Sequence, residues 1–315
     1  MSAPQCPLTG SSEVEIISSF KSNELVELYK WKRNLDVSKE LPAEEIKLCY
    51  NPAVDFYFFQ PMCDGSSSFY ADLTSKPLYS VEKQEYKFAA QQVPDGARLL
   101  DVGCGWGYWA PYVKQSDYHG LELSESAVKT CQEKGLAVEA RLVQDLVAQQ
   151  PESFDVVASF QVLEHLADPL EFFTNCLACV KPGGALIISV PNADSFMLER
   201  ENNYLNYPPH HVSWWTLKTM EHLAEKFNLS IVSHFADKAV GNELAMHNAA
   251  VIQKWFNNLT GRKYRPIRNG LADRALLKGY DGMGKVISKF RGLGDKPANG
   301  HSITIVFKKQ KIPAA

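Results

Sequence analysis

Leu99-Leu100-Asp101-Val102-Gly103-Cys104-Gly105-Trp106-Gly107 reads as a buried strand that runs into a glycine loop and opens a helix. Glycines there let the backbone turn tightly and approach a ligand that a Cβ would hold off. A dinucleotide fold prefers G-x-G-x-x-G, which would put its third glycine at position 108. Tyr108 stands there instead, which disfavours an NAD enzyme. The spacing is G-x-G-x-G, with an acid two residues before the first glycine. Taken alone, the loop is also compatible with a strand-to-helix turn that binds nothing.

Outward from the loop, short apolar runs alternate with helical segments. ARLLDVG, YHGLELS, AVEARLV, FDVVASF and ALIISVP follow one another between residues 97 and 191, and LSIVSHF and SITIVFKK come later. Strands alternating with helices predict parallel βαβ units. The expected fold class is α/β, a doubly wound, Rossmann-like sheet, mostly parallel with an antiparallel last strand. A small N-terminal module and a helical insertion before the last strand complete it. The expected divisions are 1–80 (N-terminal module, substrate-side cap), 81–237 (core), 238–300 (helical insertion, rich in basic residues and Gly) and 301–310 (last core strand). Residues 1–80 read as irregular, with an amphipathic stretch from Asn23 to Trp31 and an aromatic cluster at Phe56, Tyr57, Phe58 and Phe59.

Strand ends carry further candidates. Glu122, with Leu123, closes the second strand about twenty residues past the loop's start, where a carboxylate can accept both ribose hydroxyls of an adenosine ligand. Asp145 follows the third strand; it can accept from an adenine amino group while the N–H of Leu146 donates to the ring. Acids at three strand ends converge where open α/β sheets bind ligands.

DVGCGWG, GLELSESAV, FDVVASFQVLEHLADP and VKPGGALIISVPN, in that order, resemble the successive motifs of class I S-adenosylmethionine (SAM)-dependent methyltransferases. The resemblance covers about residues 80–235 and the last strand. Within that superfamily the chain is similar to a bacterial subgroup with FQVLEH after strand four and PPHH-x-x-x-W downstream. The resemblance implies SAM as cofactor and S-adenosylhomocysteine as product. It places Asp101, Gly103, Cys104, Gly105 and Gly107 around the SAM amino-acid portion, Glu122 on the ribose, and Asp145 and Leu146 on adenine. Phe160 and Gln161 would lie beside the methionine part.

After strand four, Ser159-Phe160-Gln161-Val162 stands where methylases of exocyclic base amines carry Asn/Asp-Pro-Pro-aromatic, which argues against a nucleic-acid acceptor. Gln161, Glu164 and His165 would share one face of a helical turn, as pocket lining, as a cation site or as ordinary local hydrogen-bonders. Tyr207-Pro208-Pro209-His210-His211 forms a stiff loop after strand five. His210, His211 and His165 are the candidate bases, since neutral imidazole suits proton removal near pH 7. The lean is to His210, whose approach Pro208 and Pro209 fix.

Cys6-Pro7-Leu8-Thr9 and Cys49-Tyr50-Asn51-Pro52 look like two zinc-ribbon knuckles that have lost their second cysteines to Thr9 and Pro52. Two thiolates cannot close a tetrahedral site, so no metal is expected. Cys176 and Cys179 read as small hydrophobes in a helix.

A net charge of −3 and a pI of about 6.3 disfavour a duplex-binding face. With no long apolar run and no signal-like start, the expectation is a cytoplasmic protein with free thiols. Its partner would be a small-molecule acceptor, a sugar or other metabolite methylated on O or N, with neither nucleic acid nor membrane involved. The chain would act as a monomer or homodimer. Two alternatives stand beside this: a non-catalytic SAM-fold subunit, and an aminopropyltransferase-like enzyme, which needs an acidic polyamine pocket that no acidic pair near strand four suggests.

Overall fold

The alternation after residue 97 is realised as a seven-stranded sheet in the computed structural model, which describes residues 3–74, 82–290, 292–293 and 298–311. From the N-terminus, β1 (Glu15–Lys21), α1 (Ser22–Arg33), β2 (Glu45–Asn51), β3 (Phe56–Gln60) and α2 (Ser67–Thr74) come first. Next come α3 (Gln84–Ala90), β4 (Arg98–Val102), β5 (Asp117–Leu121), α4 (Glu125–Glu133) and β6 (Ala137–Glu139). Then α5 (Val143–Val147), β7 (Phe154–Phe160), α6 (Pro169–Cys179) and β8 (Val180–Pro191) follow. The chain ends with β9 (Ser213–Trp214), α7 (Leu217–Lys226), β10 (Leu229–Lys238), α8 (Asn242–Thr260), α9 (Leu271–Ser288) and β11 (Asn299–Lys309).

The chain divides into two compact units. One gathers Met1–Leu78, Pro191–Thr216 and Ala236–Ser302; the other gathers Tyr79–Val190, Leu217–Phe235 and Ile303–Ala315. The second is built on the large sheet, in the order β10-β11-β8-β7-β4-β5-β6, mostly parallel with one antiparallel end. Parallel strands covered on both faces need continuous apolar runs, and β7 (FDVVASF) meets this with five consecutive buried residues ending at Phe160. Leu99, Val156, Ala158, Ile187 and Val306 pack into one core cluster there. Cys176 and Cys179 are fully buried on α6, as expected of small hydrophobes.

The first unit corrects the reading of residues 1–80 as irregular. They supply three strands of a four-stranded sheet, β1-β2-β3-β9, with antiparallel pairing throughout. The aromatic cluster is β3, where Phe59 meets Trp214 of β9 edge-on at 5.3 Å. β1 escapes notice because its residues are mostly exposed, leaving no apolar alternation to read.

Asn51 Nδ2 donates to Thr9 Oγ1 at 3.2 Å, and both Cys6 and Cys49 are buried. Burial pushes the Cys49 thiol up to about 11 against the pull of Lys47. Protein purified without added zinc is expected to hold well under one zinc per chain, with no fall in Tm on adding chelator. Elemental analysis finding one tightly held zinc would contradict this.

α8 and α9 pack as a pair, and Gly284 is the reason they can lie so close. A Cβ there would meet the main chain of Ala245 and lie 2.9 Å from the Ala249 nitrogen. Gly284→Leu is therefore expected to cost about 2 kcal/mol or more through overpacking. Thermal melting checks this, and an unchanged Tm would refute the close contact.

Candidate cofactor site

The glycine loop leaves β4 with three glycines in the left-handed region: φ is +76° at Gly103, +54° at Gly105 and +70° at Gly107. At Gly103 a Cβ would also sit 2.5 Å from Val162 Cγ2. The loop is anchored to the end of β5, where Gly103 N and Cys104 N donate to the Leu121 carbonyl at 2.8 and 3.0 Å. The Glu122 carboxylate braces it further. Its Oε2 accepts from Gly105 N, and its Oε1 from Leu123 N and Ser124 N, each at 2.8 Å. Glu122 is thus a loop brace as well as a candidate ribose acceptor, a role that spacing alone does not reveal.

Asp101 lies opposite Gly120 of β5 and is 2% exposed. Its Oδ2 accepts from the Tyr118 hydroxyl at 2.8 Å, while Oδ1 has no hydrogen-bond partner among the described residues. Burial pushes its carboxyl from 3.8 to about 7, opposed by the Tyr118 bond and reinforced by the Glu122 charge. An unfolded aspartate ionises near 3.9, so the unfolded chain loses this proton first as pH rises. The contribution to stability is therefore present below about pH 4 and is lost as pH climbs to about 7. Asp101→Asn is expected to flatten that slope and raise the ligand-free Tm at pH 8 by a few degrees, with little effect at pH 4. Melting curves across that range check it; a parallel offset at every pH would contradict the assignment.

Leu123 is 62% exposed at the end of the loop's brace. Asp145 is exposed in the first turn of the short α5, whereas Leu146 is buried beneath it. At the end of β7, Phe160 is buried against Tyr86 and Trp109, with ring centroids 5.1 and 4.7 Å away.

Gln161 corrects the expected shared helical face. It has φ +58°, outside the single 3-10 turn of Leu163–His165. Its backbone N–H donates to the Ser189 carbonyl at 2.8 Å, and its Nε2 donates to Glu85 Oε2 at 3.0 Å. The left-handed residue breaks the helical register, so Gln161 serves the β8 side, while Glu164 and His165 belong to the turn. Glu164 is fully buried and pushed up to about 8 by that burial, with the Glu85 charge adding to the rise. His165 Nε2 lies 3.6 Å from Glu164 Oε1.

Glu85 was not among the sequence candidates, yet it organises this corner. Fully buried, it takes an ion pair from Lys83 at 3.0 Å and hydrogen bonds from Gln161 and the Ser189 hydroxyl. Thr304 Oγ1 extends the chain to Ser189 Oγ at 3.0 Å. An acidic pair, Glu85 with Glu164, therefore does stand by β7, contrary to the sequence reading. Lys83 already neutralises one member, which makes the pair a poor polyamine pocket.

In the other unit, His210 and His211 are buried and stacked, with ring centroids 4.5 Å apart at 25°. His211 Nδ1 faces Asn206 Oδ1 at 3.2 Å, and the Asn206 carbonyl accepts from Trp214 Nε1 at 2.8 Å. The structure thus gathers Asp101, Gly103, Cys104, Gly105, Gly107, Glu122 and Leu123 at one loop. Phe160 closes the neighbouring strand β7, Gln161 and His165 follow it, Asp145 and Leu146 lie on α5, and the histidine pair belongs to the other unit.

Residues 79–234, just under half of the chain, match the family model described as a methyltransferase domain. Among curated proteins it is similar to the ubiquinone biosynthesis O-methyltransferase of Xylella fastidiosa, 34% identical over 134 residues, covering 39% of this chain and 54% of that protein. The enzyme of the same name from Xanthomonas campestris is 36% identical over 131 residues, covering 39% and 55%. The chain therefore spans about half the length of these relatives. Among solved structures, a SAM-dependent methyltransferase from Archaeoglobus fulgidus superposes at TM-score 0.46 and 17% identity, over 71% of this chain and 94% of that one.

Proposed function

We propose that the chain is a SAM-dependent methyltransferase that transfers a methyl group to a small-molecule acceptor. The observation that carries this is the pairing of a left-handed glycine loop with two acids, Glu122 bracing it and Asp101 buried with Oδ1 unsatisfied. Those groups suit a ligand with an amino-acid end and a ribose. Asp101 Oδ1 would accept from its ammonium, the backbone of Gly103, Cys104, Gly105 and Gly107 would let it approach closely, and Glu122 would accept from ribose hydroxyls. Asp145 and the Leu146 N–H would hold the adenine, with Leu123 against it, and Phe160 and Gln161 would flank the methionine portion. Bound SAM supplies an electrophilic methyl on a sulfonium, and the product is S-adenosylhomocysteine.

The protein's remaining tasks are to align the acceptor and, for a hydroxyl, to take its proton. The names of the similar curated enzymes favour O-methylation. A base is then needed, and we assign it to the His210–His211 pair, with His165 as a further residue handling the acceptor. His211 has an orienting partner. With its Nδ1 proton on Asn206 Oδ1, Nε2 is the basic nitrogen. Incubating the full chain with methyl-labelled SAM and a panel of phenols, sugars and amines tests the reading. Label should enter an acceptor in the panel, hydroxyl compounds foremost; SAM binding without transfer to any of them would favour a non-catalytic subunit.

A further inference from the structure

The α8–α9 pair carries a face that the methyl-transfer reading leaves without a role. Leu271, Met283 and Val286 of α9 and Phe290 just past its end are 84%, 54%, 59% and 84% exposed, at successive spacings of twelve, three and four residues. Trp255 and Leu259, one turn apart on α8, are 64% and 69% exposed. A helix exposing this much apolar surface along a single stripe is built to be covered. The pair's own buried contacts, Ala249, Ile252, Leu277 and Tyr280, form a separate cluster.

The charge beside the stripe has one sign. Lys278, Lys285 and Lys289 are exposed, and each precedes an exposed residue of α9 or its end (Gly279, Val286, Phe290), about 100° around the helix. None of the three has an ion-pair partner among the described residues. Residues 242–290 contain three acids, and all are engaged: Glu243 with His301, Asp273 with Arg262 and Asp281 with Arg200, at 2.5, 2.5 and 2.8 Å. Among the described residues 242–290, the face therefore presents apolar side chains flanked by free ammonium groups with no free carboxylate. A second copy of the same face would set lysines against lysines.

We infer that the α8–α9 face docks on an anionic phospholipid surface, its apolar stripe entering the interface and its lysine row meeting the headgroups. The expectation of no membrane partner rested on the absence of a spanning segment, and no described helix is long and apolar enough to cross a bilayer. An interfacial helix pair escapes that criterion, since it needs an amphipathic surface and no span.

Flotation of the full chain with vesicles tests this, comparing neutral phosphatidylcholine with phosphatidylcholine containing phosphatidylglycerol. Binding is expected to the anionic vesicles and to weaken at high salt. The triple variant Lys278→Gln/Lys285→Gln/Lys289→Gln should lose about a hundredfold in partitioning, since each lysine near such a surface contributes about fivefold. Met283→Ser/Phe290→Ser should lose tenfold or more, with melting curves confirming that both variants fold. No binding by the unmodified chain, equal binding to both vesicles, or binding unmoved by either variant would overturn the inference. So would a dimer in light scattering that Met283→Ser/Phe290→Ser dissolves while vesicles go unbound, because the face would then join two copies.

Discussion

Replacing His210 or His211 with alanine is expected to lower turnover by about a hundredfold or more in at least one of the two variants, the usual scale for losing a general base. SAM affinity should barely move, because the groups assigned to the cofactor belong to the β4, β5 and β7 ends and α5. The stacked arrangement sharpens the expectation. His211 is held by Asn206 Oδ1 at 3.2 Å, so Asn206→Ala should mimic a milder His211→Ala by freeing the ring to reorient. The pH profile separates a base from a packing residue: loss of a base removes the acidic limb of the turnover curve, whereas loss of packing lowers the curve uniformly. If both alanine variants keep near-normal turnover on the true acceptor, the base assignment fails, and His165 or a nucleophile needing no base takes its place.

The second large effect concerns Glu122. Glu122→Ala should weaken SAM by about tenfold or more, since charge-assisted hydrogen bonds contribute roughly 1.5–3 kcal/mol each. Two losses combine: the acceptor for the ribose, and the brace on Gly105 N, Leu123 N and Ser124 N. Glu122→Gln keeps an acceptor oxygen but loses the charge and one bracing bond, so its affinity should fall between the two. Equilibrium dialysis with labelled SAM measures both. Alanine and glutamine variants that bind as tightly as the unmodified chain would remove Glu122 from the site.

The core was legible in the sequence because its signals are local. β4 announces itself as an apolar run ending in glycines whose positive φ only glycine adopts readily, and β7 as a run of buried residues without polar interruption. The α6 cysteines were legible for the same reason, as small apolar positions in a periodic helix. The rest depends on partners far apart in the chain. Glu85 and Ser189 bond across 104 residues, and nothing in the run Gln-Glu-Tyr-Lys-Phe around Glu85 marks a buried acid. Tyr118 reaches Asp101 only because the parallel register sets Asp101 against Gly120, two residues along its strand. Gln161 was misplaced because periodicity assumes a continuous helix, and its left-handed backbone breaks that assumption. β1 and β2 form a sheet face whose pairing no single strand's pattern discloses.

The central claim is that the loop of Gly103, Gly105 and Gly107, with Asp101 and Glu122, holds the adenosyl amino acid. Calorimetric titration of the full chain with S-adenosylhomocysteine tests it most directly, with NAD titrated in parallel. The account predicts saturable binding of one S-adenosylhomocysteine per chain and none of NAD, with proton release from Asp101 making the heat depend on the buffer near pH 7. No binding of S-adenosylhomocysteine, or saturable binding of NAD in its place, would contradict it.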